Sequence, residues 1–168
     1  MRKQNELRRL RMGPEHDERA EGLGTERFVV RCPGNAEVVL WKAREVMEAV
    51  LPFGTDDWPS DSQWPSLLPA WFVAACAPEM SEEESEADIA AWRRLSDEEK
   101  TAAEAAEAWS VLNWVFWLHP DERQWWWWDA SISSENELVV LVQVDGWPYP
   151  WGALTWLLRA SGAQEVVD

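Results

Sequence analysis

Residues 125–128 are four consecutive tryptophans, and a chain that carries them must find dry cover for both sides of whatever they form. Each buried indole removes up to ~250 Å² from water, about 4–6 kcal/mol of gross stabilisation at ~25 cal/mol per Å². Residues 124–133 and 137–145 read as two strands of a hairpin, with Ser134-Glu135-Asn136 supplying the turn chemistry. In a strand Trp125 and Trp127 project to one face and Trp126 and Trp128 to the other. The second strand is equally apolar: Leu138, Val140, Val142 and Val144 oppose Val139 and Leu141, with Gln143 the one polar residue among them. A hairpin apolar on both faces calls for helices on both sides, or for a second subunit, so a homo-oligomer is one expectation.

The remaining segments follow from periodicity and punctuation. Residues 28–32 read as a short strand that Pro33-Gly34 ends. Residues 36–51 put Ala36, Val39, Leu40, Ala43, Met47, Val50 and Leu51 on one helical stripe. Residues 66–77 read as a short buried helix with Pro69 in its first turn. Two capping boxes, Ser81 with Glu84 and Ser96 with Glu99, open helices over about 81–95 and 97–118. The second of these is charged in its first half and apolar in its second, as for a helix that leaves solvent and enters the core. A last helix is expected over 150–160, with Val166-Val167 as an edge strand. The fold class predicted is α+β: a small, mostly antiparallel sheet with a Trp-rich hairpin at 124–145, packed against about five helices. Residues 1–27, polar with basic residues first and acidic ones next, read as a flexible tail or a loosely held helix, and 28–168 as a single domain.

Charge narrows the function classes. The formal net charge is −16 with a pI near 4.4, a field that repels nucleic acid and anionic membranes and speeds encounters with a basic partner. The acidity is concentrated. Residues 79–107 hold eleven carboxylates against Arg93, Arg94 and Lys100, which accounts for half of the net charge. Acids in the first turns of two helices favour the helix dipoles, and a run of charge is ordinarily a solvated face. The functional reading is that Glu82, Glu83, Glu86, Asp97, Glu98 and Glu104 form an acidic face for a basic protein, as in immunity or antitoxin proteins.

An alternative draws on the aromatics. Fifteen tryptophans stand against one tyrosine and four phenylalanines. Indoles fill cores, but they also stack on sugars, bases and cations. Prolines would stiffen Trp147, Tyr149 and Trp151 into a binding lip. Trp58 and Trp64, beside Asp57 and Asp61, have the composition of a carbohydrate site, although Asp near Pro is also plain turn chemistry. A small-molecule or carbohydrate-binding domain, or an enzyme, with a Trp-lined pocket is therefore the second expectation.

Evidence for catalysis is thin. His119, with Asp121, Glu122 and Arg123, has acid–base character, but a histidine at a helix C-terminus also caps it. No phosphate-binding glycine loop, nucleophile elbow or metal-ligand spacing occurs, and Cys32 and Cys76 have neither zinc nor disulfide spacing. No cofactor and no metal are expected. The first eleven residues are basic and polar with no apolar stretch behind them, so a cytoplasmic protein without a membrane span is expected.

Overall fold

The computed structural model of the chain describes residues 2–168, and side chains from residue 5 onward. Its sheet comprises β1 (Gly24–Arg31), β2 (Trp125–Ser134), β3 (Glu137–Val144) and β4 (Glu165–Val167), in the order β2-β3-β1-β4, all antiparallel. Among the described residues the helices are α1 (Arg2–Met12), α2 (Ala36–Val50), α3 (Trp64–Leu67), α4 (Ala70–Ala75), α5 (Glu82–Arg93), α6 (Asp97–Ala106), α7 (Val111–Leu118) and α8 (Gly152–Ala160). The chain is α+β, with the Trp-rich hairpin in the sheet as its pattern predicts.

Directly paired residues share a face. Trp125 pairs with Val144, Trp127 with Val142, Phe28 with Val140 and Val30 with Leu138, and all eight side chains are buried. They meet the apolar stripe of α2, the inner sides of α7 and α8, and the fully buried Trp64 and Phe72. The alternation of the tryptophans ends after Trp127. The register shifts between Trp127 and Asp129, making Trp128 the extra residue of a β-bulge. It is buried nonetheless, with the Arg9 guanidinium 4.8 Å from its ring centre.

The opposite face carries Val139 and Gln143, both buried, and Trp126, Leu141 and Val29, half-buried. Part of its cover comes from the chain's own first residues. Gly13 sits beside the Asp129 carboxylate, and Gly22 lies against the far end of β3. A Cβ at Gly22 would stand 2.6 Å from the Val144 carbonyl oxygen, and its φ of +66° is left-handed, so the chain passes there only as glycine.

Within residues 5–27 the chain forms part of α1 and the start of β1. Leu10 is fully buried, and β1 begins at Gly24, four residues before the strand expected at 28. Glu6 and Arg9 of α1 have specific partners. Glu6 accepts two hydrogen bonds from Arg123 and one, at 2.8 Å, from the Trp127 amide, while Arg9 Nε donates to the Trp127 carbonyl at 3.3 Å. These side chains occupy the outward-facing amide and carbonyl of Trp127 on β2, an edge strand whose free groups would otherwise invite another chain to pair.

Glu18 closes the same segment. Burial raises its carboxyl pKa, but the Glu15 amide, Arg8 and Arg9 outweigh that and hold it at about 2 rather than 4.5. A carboxyl with a depressed pKa in the folded state stabilises above its unfolded pKa and loses that contribution as pH falls toward the folded value. The acid limb of the stability curve should therefore fall between pH 4.5 and about 2, and Glu18→Gln should flatten it. An unchanged limb in urea unfolding followed across that range would count against this ion pair.

Two helices differ from expectation. Residues 66–77 are interrupted because Pro69 cannot continue a helix, and it becomes the N-cap residue of α4. The helix expected over 97–118 breaks into α6 and α7. Glu107 is extended, Ser110 Oγ accepts the Asn113 amide, and the Ala77 amide donates to the Trp109 carbonyl. A cap and a bridge between Ala77 and Ser110 let the apolar half enter the core on its own axis. With α1, these two splits turn five expected helices into eight.

Candidate functional site

The acidic residues singled out above fall on α5 and α6, which form a helical hairpin with no buried residue in either helix. Its order comes from its ends. Ser81 Oγ accepts the Glu84 amide at 3.1 Å while Glu84 accepts the Ser81 amide, and Ser96 and Glu99 repeat the arrangement. Such reciprocal caps satisfy donors that packing would otherwise have to satisfy. Glu82, Glu83, Glu86, Asp97, Glu98 and Glu104 are all exposed. Between the helices runs a groove of about 330 Å³ lined by Ala91, Trp92, Leu95 and Ala103. Lys100 Nζ stands 4.5 Å over the Trp92 ring, and Ile89 and Trp92 remain 48% and 41% exposed.

The predicted aromatic residues fall into two clusters. Trp58 lies 4.8 Å from Trp64 and 5.0 Å from the His119 ring, and Trp64 is fully buried among Phe53 and the core. Trp147 stacks on Trp151 at 5.6 Å, with Tyr149 edge-on to both. Trp147 is 61% exposed, while Tyr149 is buried, and burial together with Glu26 and Asp168 pushes its hydroxyl pKa up to about 12. Asp57 accepts the Gly54 amide, which is turn chemistry. His119 is the C-cap residue of α7, and its Nδ1 accepts the Asp121 amide at 3.2 Å, a contact that orders the turn. Arg123 is committed to Glu6. No group of three or more potential ligands among the described residues could hold a metal ion.

One member of each predicted set meets the other. Glu104 of α6 and Trp151 line a cleft of about 610 Å³ between α6, the start of α8 and β4. Its walls include Glu107, Trp109, Arg159 and Glu165, none of which the sequence pattern singles out for a site. Gly152 makes room for Trp109, since a Cβ there would lie 2.7 Å from the indole. Arg159 Nη1 donates to the Glu107 carbonyl at 3.0 Å, and its guanidinium lies 5.4 Å from the Trp156 ring centre. Glu107 is exposed overall, but partial desolvation of its carboxyl, with Asp88 and Glu104, raises its pKa against Arg159, which lowers it. Glu165 is paired with Arg31 at 3.2 Å.

No family model, curated protein or solved structure matches this chain. Its functional reading therefore rests on the geometry of these surfaces. No helix among the described residues is long and apolar enough to cross a membrane.

Proposed function

We propose that the chain is a non-enzymatic protein-binding module whose α5–α6 hairpin engages a basic partner protein. The observation that carries this reading is that two helices with N-terminal capping boxes have no buried residue, yet hold exposed Ile89 and Trp92 amid a large excess of carboxylates. Charge of one sign steers a partner of the other, and an aromatic set among charges supplies an anchor. A protein that covers a cationic surface, as an antitoxin covers a toxin, has this build. The same field opposes nucleic acid and anionic lipid.

The reading is tested with a helical peptide of alternating Lys-rich and Leu-rich faces, titrated calorimetrically at low and moderate salt. Raising the ionic strength shortens the Debye length to about 8 Å at 0.15 M and should weaken binding at least about tenfold. Converting Glu82, Glu83 and Glu86 to lysine should do the same while leaving the caps at Ser81 and Glu84 in place. Binding indifferent to both salt and reversal would rule the acidic hairpin out.

A further inference from the structure

We propose that the cleft between α6 and α8 receives a single arginine or lysine side chain of the basic partner, acting as the socket of the interface. This rests on the reading of α5–α6 as a partner-binding arm, and it adds a specific site where the arm meets the body of the protein.

The composition of the walls selects the ligand. Trp109 and Trp151 supply indoles, Glu104 and Glu107 supply carboxylates, and Thr101 and Thr155 stand beside them. A cation is attracted to an aromatic face within about 6 Å and to a carboxylate, and both interactions strengthen as water is displaced. A neutral sugar would use the indoles but gain little from the charge, and an anion would be repelled.

The resident cations do not fill this role. Arg159 is on the cleft wall and offsets part of the Glu107 charge, but its hydrogen bond goes to the Glu107 carbonyl and its guanidinium lies near the Trp156 ring, while Arg31 pairs with Glu165. Glu104 and Glu107 both stand on the cleft wall, with no hydrogen-bonded cation at either carboxylate among the described residues. The cleft volume of about 610 Å³ lies within the ~300–1,000 Å³ of ligand sites and has room for a guanidinium and its stem. Its position also matters. Because Glu104 belongs to the arm and Trp151 to the body, a side chain seated here would contact both, and binding along the arm would continue into the domain.

Nuclear magnetic resonance on the full chain tests this, with the tripeptide acetyl-Ala-Arg-Ala-amide and its citrulline counterpart as probes. Citrulline keeps the shape and the Nε–H donor but replaces one NH2 donor with a carbonyl acceptor and loses the charge. The arginine peptide should shift the Trp109 and Trp151 indole N–H signals and the Thr155 amide in a saturable way, and the citrulline peptide should not. Glu104→Gln, at an exposed position, should weaken the effect about tenfold, the scale of one charge-assisted contact, with the near-ultraviolet circular dichroism unchanged. Equal shifts from both peptides would overturn recognition of a cation. Shifts confined to Ile89 and Trp92 would overturn the socket and leave the arm standing. Silence at both places would overturn the two together.

Discussion

Glu6→Ala is expected to lower the unfolding free energy by about 3–5 kcal/mol, the cost of leaving a buried charge without its partner. The Glu6 side chain is wholly inaccessible, and that of Arg123 is 9% exposed, so neither can turn to water when the other is removed. Alanine would strip both guanidinium donors from Arg123 of their acceptor and leave the Trp127 amide unpaired in the interior. An unmet backbone donor costs about 1–3 kcal/mol by itself. Glu6→Gln keeps one acceptor and should fall between alanine and wild type. Replacing the pair together, with Glu6→Leu and Arg123→Met, should recover much of the loss, because a well-packed apolar pair can match a buried ionic one. Urea unfolding of the four proteins checks this. A loss under about 1 kcal/mol for Glu6→Ala would mean that the pair is solvated and α1 is only loosely applied.

The consequence reaches beyond stability. Once α1 lifts, the outer groups of β2 between Trp126 and Trp128 are exposed beside three large indoles, an invitation to edge pairing between molecules. Concentration-dependent scattering from Glu6→Ala, absent from wild type, would be the sign of it. At the other edge β4 is three residues long, a length that limits pairing without a special cover.

What could be read from the sequence is what is decided locally. The hairpin was legible because alternation and turn residues lie within about twenty positions, and the α2 stripe because its period is uninterrupted. Both capping boxes were legible because the partners stand three residues apart. The role of Glu6 was not, since its partners are 117 and 121 positions away and nothing near it marks it as different from an exposed acid. The break between α6 and α7 had a local signal in Ser110, but Ala-rich and apolar stretches both favour helix, and only the contact with Ala77 shows that two axes are needed. The cleft was legible in halves. Glu104 and Trp151 were each marked, for different reasons, and the long-range packing of Trp109 on Gly152 is what brings their elements to one place.

The same contrast sets the second large effect. Trp114→Ala is expected to cost about 3–5 kcal/mol, and Trp92→Ala no more than about 0.5 kcal/mol. In composition the two residues are equivalent, each a tryptophan on a helix with apolar neighbours. Trp114 is fully buried, its ring lies 4.7 Å from that of Phe72, and its Nε1–H donates to the Ala153 carbonyl at 2.9 Å. Truncation there would open a cavity that the surrounding elements cannot close and would remove the extra donor that the Ala153 carbonyl receives from the indole. Trp92 is 41% exposed, with the Lys100 ammonium 4.5 Å over its ring. Its removal should leave the urea midpoint in place, trim the red edge of the fluorescence, and weaken peptide binding by the α5–α6 groove. Trp114→Ala should act in the opposite sense, removing blue-edge emission along with stability. Equal losses of stability from the two substitutions would show that α5 and α6 are part of the core, and the reading of that hairpin as a surface kept for a partner would fall with it.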